Sequence, residues 1–263
     1  MPFSCTNISV QGRGFCSEWL QRVLSQGHLW QATPDKEQIM TGIRLDNTVA
    51  AIAAELPGAA ELFRGHDISF CCGGNVQLSE AAVKAGVAPS ALLAELQALV
   101  VAARRDAPAE TSDLIGHILD RYHQTHRAEL AWLIPLAQKV ERVHGDHPSA
   151  PIGLSQVLER LRDDLESHMM KEEQVLFPIM RRGGSAVIAH PITQMRDEHE
   201  EEAEHLRTVE HVTHGLSLPP GACGSWTALY TGLRKFTDDL VTHMHLENAV
   251  LFPRFETQAQ AAV

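Results

Sequence analysis

The sequence predicts an all-α protein in which a small helical domain is followed by an up-down four-helix bundle. Three observations favour this fold: an eleven-residue segment that occurs twice, a histidine that precedes each copy at the same distance, and apolar residues at helical spacing around both. The repeating unit spans roughly 75 residues, so two helical hairpins related by a pseudo-twofold axis are expected.

The repeated segment runs from His168 to Pro178 as HMMKEEQVLFP and from His243 to Pro253 as HMHLENAVLFP. Seven of the eleven positions are identical, and each copy begins with a histidine followed by a glutamate four positions later. Residues i and i+4 lie on one face of a helix, so both side chains reach the same point. An imidazole and a carboxylate that converge form half of a metal site.

A further histidine precedes each copy: His123 lies 45 residues before His168, and His199 lies 44 residues before His243. Two metals would each receive two nitrogens and two oxygens from bridging carboxylates, leaving room for a solvent bridge and one open position. Such a site suits iron, although ligand type alone also allows zinc or manganese. The predicted ligands are His123, His168, Glu172, His199, His243 and Glu247.

Composition excludes several functional classes. The formal charge of −11 argues against nucleic acid, because binding phosphates requires clustered cations. No apolar run approaches the length of a membrane span, and no stretch has the order of a secretory signal. The cysteines lack the spacing of a disulfide framework, which predicts a cytoplasmic protein; they are Cys5, Cys16, Cys71, Cys72 and Cys223.

Residues 1–41 form an N-terminal extension to which we assign no role, and Met40 is an alternative start. Residues 42–103 are expected to form the small helical domain. Four short helices are predicted there, the first capped near Asp46 or Asn47; they span Thr48–Leu56, Ala59–Arg64, Ser79–Ala85 and Ser90–Ala103. Four helices of this length give a thin core, so the domain should lean on a partner or dimerise.

The adjacent thiols Cys71 and Cys72 lie in a glycine-rich turn of the small domain. They are either a buried pair of small apolar residues or exposed thiolates that receive metal, nitric oxide or electrons.

Residues 104–111 are the expected linker, and residues 111–258 the bundle. Helix A is predicted from a Thr111 or Ser112 cap to His144, with a possible bend at Pro135. The other three are predicted as helix B from about Gly153 to Arg182, helix C from Pro191 to about His214, and helix D from about Cys223 past Phe255.

Every predicted ligand shares one helix face with apolar residues, and that face should point into the bundle. Burying carboxylates and imidazoles among leucines is costly unless metal ions, or a polar network built twice, satisfy them. The predicted core-facing positions near the ligands include Leu119 in helix A, Val175 and Ile179 in helix B, Ile192 and Met195 in helix C, and Val250 in helix D.

Other polar residues receive lesser roles. His126 shares the core face with His123 and is interpreted as a hydrogen-bonding neighbour of the site or an alternative ligand. The acidic run from Asp197 to Glu204 is expected to be solvated, although Glu198 or Glu202 can line an entry path or hold displaced iron. Six further histidines of the bundle are predicted at the surface: His144, His147, His205, His211, His214 and His245.

The ligand pattern resembles the hemerythrin-like di-iron bundles, and several motifs resemble the Repair of Iron Centres family. These motifs are DISFCCGG at 67–74, RYHQTHR at 121–127, KVERVH at 139–144 and SHMMKEE at 167–173. The resemblance covers about residues 42–256 and implies two iron ions, in a non-haem di-iron centre bridged by an oxo group and carboxylates. It also implies a cytosolic homodimer that helps to restore iron–sulfur clusters after nitrosative or oxidative damage.

Three functions use the same ligands. The first is repair by donation of labile iron, with Cys71 and Cys72 as candidates for its transfer to damaged iron–sulfur proteins. The second is enzymatic reduction of nitric oxide, and the third is reversible binding of nitric oxide or oxygen by a sensor. The resemblance, rather than residue chemistry, favours repair.

Overall fold

The computed structural model describes residues 42–70, 74–105, 107–185 and 187–260, and within these ranges the chain is helical, with no β-strand. The only pairing of strand type in the described part is one isolated bridge between Thr48 and Gln77. None of the described helices is long and apolar enough to span a lipid bilayer.

The small helical unit comprises α1 to α4 and has its own apolar core, centred on Ile52, Phe63 and Leu92. Its helices are α1 Val49–Glu55, α2 Ala59–Gly65, α3 Leu78–Lys84 and α4 Pro89–Arg105. The predicted cap of the first helix was wrong. The hydroxyl of Thr48 accepts from the backbone N–H of Ala51, whereas Asn47 closes the preceding turn by accepting from Arg44 N–H.

The bundle has four long helical rods, three of which contain a π-helical turn. The first rod is α5 Thr111–His117, π1 Ile118–His123 and α6 Gln124–His144; the second is α7 Leu154–Lys171, π2 Glu172–Leu176 and α8 Phe177–Arg181; the third is α9 Ala189–Val212; and the fourth is α10 Gly224–His245, π3 Leu246–Leu251 and α11 Pro253–Gln260. The first rod packs against the second and the fourth, and the second packs against the third.

The predicted ends of the rods agree with the structure to within about a turn. The first rod begins at Thr111 but has no side-chain cap, and its helix continues through Pro135. Gly153 precedes the second rod in a left-handed conformation, with φ of 89°, that glycine adopts without strain. The third rod begins two residues before the predicted Pro191.

The π-helical turns displace the core-facing positions by one residue, which the sequence analysis did not foresee. A π-helical turn contains one residue more than an α-helical turn, so the apolar face beyond it starts one position later. In the second rod, Leu176 and Met180 are buried in place of the predicted Val175 and Ile179. Leu251 likewise replaces Val250 in the fourth rod.

In the first rod the π-helical turn ends at His123, so the core-facing position a turn before that residue lies one residue earlier than predicted: Ile118 is buried and Leu119 only partly so. The third rod contains no π-helical turn, and its predicted positions Ile192 and Met195 are buried as expected. The bundle interior is thus two apolar cores, one on each side of a polar layer that contains the predicted ligands.

The small unit packs against the bundle of its own chain; the expected partner or dimer contact stays a prediction. Helix α1 packs against α9 and α10, and the guanidinium of Arg64 lies 3.5 Å from the buried carboxylate of Glu210. His245 was predicted at the surface, but it is partly buried at this contact, where its Nδ1–H donates to the carbonyl of Glu55 at 3.1 Å.

Gly74 provides a test of the small unit. A Cβ at this position would lie 2.1 Å from the carbonyl oxygen of Phe70 and 2.6 Å from the Cβ of Ala50. Because neither neighbour is a flexible side-chain end, we expect Gly74→Ala to lower the free energy of unfolding by about 1–3 kcal/mol in chemical denaturation. Gly65→Ala is the control, since a Cβ there meets nothing within 4 Å. Equal stability of the two variants would contradict the prediction.

Candidate metal centre

Four imidazoles and two carboxylates converge in the polar layer of the bundle. Their ligating atoms form two groups, within each of which all atoms lie within 4.8 Å of one another. The first group is His123, Glu172, His243 and Glu247, and the second is His168, Glu172, His199 and Glu247. The structure therefore brings together all six residues that the sequence analysis selected, and each of them is buried.

The repeated segment accounts for half of this geometry. In each copy the histidine lies in the last turn of an α-helix and the glutamate lies in the π-helical turn that follows, so the two side chains project to the same side of the rod. His123 ends the π-helical turn of the first rod, whereas His199 lies in the regular helix α9. Turns of the π type are frequent at functional sites, because they change the direction of a side chain locally.

Both carboxylates belong to both groups. Glu172 Oε2 lies 3.4 Å from the Nε2 atoms of His123 and His168. Glu247 points its Oε1 at His243 Nε2, at 3.1 Å, and its Oε2 at His199 Nε2, at 3.0 Å. Two carboxylates placed between two pairs of imidazoles are arranged to bridge two cations.

The outward nitrogens of three imidazoles are held by oxygen atoms. His123 Nδ1–H donates to Glu173 at 2.8 Å, and His168 Nδ1–H donates to Glu198 at 3.1 Å. His199 Nδ1–H donates to the side-chain oxygen of Asn248 at 3.0 Å. The sequence analysis missed Glu173 and Asn248. Both directly follow a glutamate that is a predicted ligand, and that adjacency was the available signal.

These hydrogen bonds from Nδ1 determine whether the inward-facing Nε2 atoms carry a proton or a lone pair. A neutral imidazole that donates from Nδ1 has a lone pair on Nε2. The Nε2 atoms of His123 and His243 are 3.1 Å apart, and those of His168 and His199 are 3.2 Å apart. Because facing lone pairs repel, His168 and His199, which both donate outward from Nδ1, need a proton or a metal ion between their Nε2 atoms.

Three of the four carboxylate oxygens also lack hydrogen-bond donors among the described residues. Both oxygens of Glu172 and the Oε2 of Glu247 are buried, and their close contacts do not have hydrogen-bonding geometry. Buried oxygens without donors are costly. Bound cations would satisfy these oxygens and the Nε2 lone pairs together, so the donor set fits two metal ions better than a purely structural polar network.

Without metal, protons occupy the site. Burial alone would lower the pKa of His123, but ionic contact with Glu172 and the hydrogen bond to Glu173 outweigh it and raise that pKa to about 9. The pKa of His168 is also raised, because nearby carboxylates outweigh its burial. Burial opposes the ionised form of Glu247, but His243 and His199 hold its pKa well below the usual range. Metal binding is therefore expected to release protons.

His126 and Glu202 are buried beside the site and outside both groups. Neither His126 nitrogen has a hydrogen-bond partner among the described residues, and burial lowers its pKa. The expectation of a fully solvated acidic run was wrong in part. Asp197 and Glu204 are exposed, but Glu202 is 2% exposed and Glu198 accepts from His168.

Of the histidines predicted at the surface, some are exposed and others are partly buried. His211 and His214 are exposed, as predicted, and His147 is exposed although its ring meets the edge of Trp226. His144 is partly buried, with its Nε2 3.1 Å from Cys223 Sγ, and was therefore mispredicted. His205 is also partly buried and pairs with Asp164 at 2.9 Å.

Cys71 and Cys72 lie outside the described residues, as do Cys5, Cys16 and Met40. The residue before the cysteine pair, Phe70, lines an apolar pocket of about 30 Å³ between the small unit and the bundle. The bundle side of this pocket includes Ala203 of α9 and Val241 of α10, which are near His199 and His243 in sequence.

Comparison with known proteins divides the chain in the same way. Residues 114–255 match the hemerythrin HHE cation binding domain, and residues 45–100 match a domain of unknown function, DUF542. The chain is similar to the iron–sulfur cluster repair protein YtfE of Escherichia coli O8 (strain IAI1), of E. coli K12 (strain DH10B) and of Shigella boydii serotype 18. Each is 43% identical over 213 residues, which cover 80% of this chain and 96% of the relative.

Proposed function

Because the chain belongs to the family of the iron–sulfur cluster repair protein YtfE, we propose that it restores damaged iron–sulfur clusters by donating iron from the bundle. The observation that carries the proposal is the pair of buried His₂ groups joined by two carboxylates. Each group offers a metal two imidazoles and two carboxylates, which leaves coordination positions for small ligands.

The proposed ligands are His123 and His243 for one iron, and His168 and His199 for the other, with Glu172 and Glu247 bridging them. Iron held in this way would supply Lewis-acid and redox chemistry. The protein contributes the positions of the imidazoles, through the acceptors on Nδ1, and the exclusion of bulk water by the two apolar cores. Nitrogen-rich ligation with bridging carboxylates favours iron over magnesium or calcium, which prefer oxygen ligands.

We assign iron transfer to the thiols of Cys71 and Cys72. What supports this is sequence adjacency, since these residues follow Phe70, which packs where the small unit meets the ligand-bearing helices α9 and α10. Thiolates are ligands for iron in clusters, so they suit a step between the bundle and an acceptor. The absence of disulfide spacing supports a reducing, cytoplasmic setting. We further propose that the protein is a homodimer.

The test is anaerobic transfer of ⁵⁷Fe, in the presence of a chemical reductant, from loaded protein to an iron–sulfur hydro-lyase whose [4Fe–4S] cluster has lost one iron by oxidation to [3Fe–4S]. We expect label to enter the restored cluster in proportion to iron lost from the donor, at most two irons per chain. Mössbauer spectra of the acceptor follow the label, and hydro-lyase activity follows the repair. Cys71→Ser/Cys72→Ser should keep its iron and transfer it at least tenfold more slowly.

Two outcomes would replace this proposal. Sustained consumption of nitric oxide with an electron donor, without loss of iron, would identify a reductase. A stable nitric oxide adduct that neither turns over nor releases iron would identify a sensor. Full transfer by the double serine variant would remove the thiols from the mechanism and leave donation by the bundle intact.

A further inference from the structure

The two halves of the metal centre differ in the atoms behind their imidazoles. His168 and His199, which share one group, both donate Nδ1–H to oxygen, from Glu198 and Asn248. In the other group His123 donates to Glu173, but His243 Nδ1 is buried without a hydrogen-bond partner among the described residues. Both imidazoles of the group that contains His168 therefore have a hydrogen-bond acceptor at Nδ1, whereas only one imidazole of the other group has one.

The internal repeat shows how the difference arises. Aligning His123 with His199 places Tyr122 at the position of Glu198, and His126 at the position of Glu202. In the second hairpin, Glu198 accepts from His168 and a carboxylate oxygen of Glu202 lies 3.9 Å from the same nitrogen. In the first hairpin, both carboxyl groups are replaced by rings.

The two rings pack on His243 without supplying an acceptor. Tyr122 stacks on the imidazole, with ring centroids 5.7 Å apart and planes inclined by 4°. A parallel ring at this distance covers the face of the imidazole, whereas the Nδ1–H points along its edge. The His126 ring is 5.3 Å away by centroid and tilted by 39°, and neither of its nitrogens has a partner in the described structure.

A hydrogen bond from Nδ1 to oxygen fixes the orientation of a ligating imidazole and makes it more basic. Loss of such a partner typically lowers metal affinity about 10- to 100-fold. The geometry points to unequal metals: the ion bound by His123 and His243 is held more weakly than the ion bound by His168 and His199, and it leaves first. This inference rests on the proposed function in that it names which of the two irons is donated.

The experiment measures release of iron to a chelator, so its result does not depend on any client protein. Full-length protein is loaded with two ferrous ions under anaerobic conditions and mixed with excess of a chromogenic ferrous chelator. The wild type should release one iron in a fast phase and one in a slow phase, with rates about tenfold or more apart. Release of both irons in a single phase would overturn the inference.

Variants assign the phases to the two groups. Position 126 corresponds to Glu202 in the repeat, so His126→Glu places a carboxyl group near His243 Nδ1 and should slow the fast phase about tenfold. His126→Leu is the matched control, because it removes the ring without adding an acceptor and should change neither rate. A faster first phase in His126→Leu would show that His126 already supports His243, and would overturn the inference.

The complementary variant acts on the other group. Asn248→Leu removes the acceptor of His199 without changing charge, and should accelerate the slow phase about tenfold while leaving the fast phase unchanged. If circular dichroism shows that His126→Glu does not fold, Asn248→Leu alone assigns the two release phases to the two groups. Acceleration of the fast phase by Asn248→Leu would reverse the assignment. Two-phase release combined with failed cluster repair would reject the proposed function but not the inference.

Discussion

Glu172→Leu/Glu247→Leu is expected to abolish binding of both metals, reducing iron from about two per chain to none after anaerobic loading. Each carboxylate belongs to both groups of ligands, so the double variant leaves only two imidazoles for each ion. Loaded wild type should be stabilised by about 2.7 kcal/mol for each site whose Kd is 100 times below the free ferrous concentration, whereas the variant should not respond. Metal analysis and thermal denaturation with and without ferrous iron measure the two effects.

The metal-free variant separates loss of ligation from loss of folding. Replacing buried carboxylates by leucine of similar size removes ions that burial disfavours, so the helical content of the apo-protein should be kept. Glu201→Leu is the control, since Glu201 lies on the exposed side of α9. Retention of two irons by the double variant would show that these carboxylates do not bind the metal.

The second large effect concerns the contact between the small unit and the bundle. Arg64→Ala would leave Glu210, which is 3% exposed, without its nearest cation, and should destabilise the protein by about 3 kcal/mol near neutral pH. Denaturant unfolding of the metal-free protein measures the difference from wild type. Arg162→Ala is the control, because it removes an exposed ion pair worth less than about 1 kcal/mol.

The loss should depend on pH in a defined direction. Burial raises the pKa of Glu210, and Arg64 and Arg234 oppose the rise. A carboxyl group with a raised pKa binds more protons in the folded state, so its contribution to stability falls as pH rises above about 4.5. Without Arg64 the pKa rises further, and the deficit of the variant should be small below pH 4.5 and grow above it. A deficit that is independent of pH would contradict this explanation, as would failure of Arg64→Met/Glu210→Leu to recover stability.

The fold and the residues that meet in the candidate site were largely predictable, because both follow a regular spacing in the sequence. Ile192, Met195 and His199 follow the regular spacing of an α-helix and are buried as predicted. Where the helix departs from that spacing the prediction failed, as at Val175 and Val250. A π-helical turn depends on hydrogen bonds closed across five residues, and apolar periodicity assumes one constant repeat.

The groups that hydrogen-bond to the imidazoles of the candidate site were less predictable. Glu173 and Asn248 look like ordinary polar residues beside a ligand, and their partners, His123 and His199, lie on other rods. His245 contacts Glu55, 190 residues away in the chain. Such pairs depend on the relative positions of the rods in three dimensions, which a local sequence pattern does not predict.

The hydrogen bond of His245 joins the small unit to the helical segment that carries two of the predicted ligands. His245 lies two residues from His243 and two from Glu247, on the segment that supplies both ligands, and it donates to a carbonyl of α1. Coupling between two equilibria is reciprocal: if docking of the small unit raises the affinity for iron by some factor, iron binding raises the docking equilibrium constant by the same factor. If a client protein competed for the face of the small unit that packs on the bundle, its binding would lower the affinity for iron by that same factor and would favour release of iron.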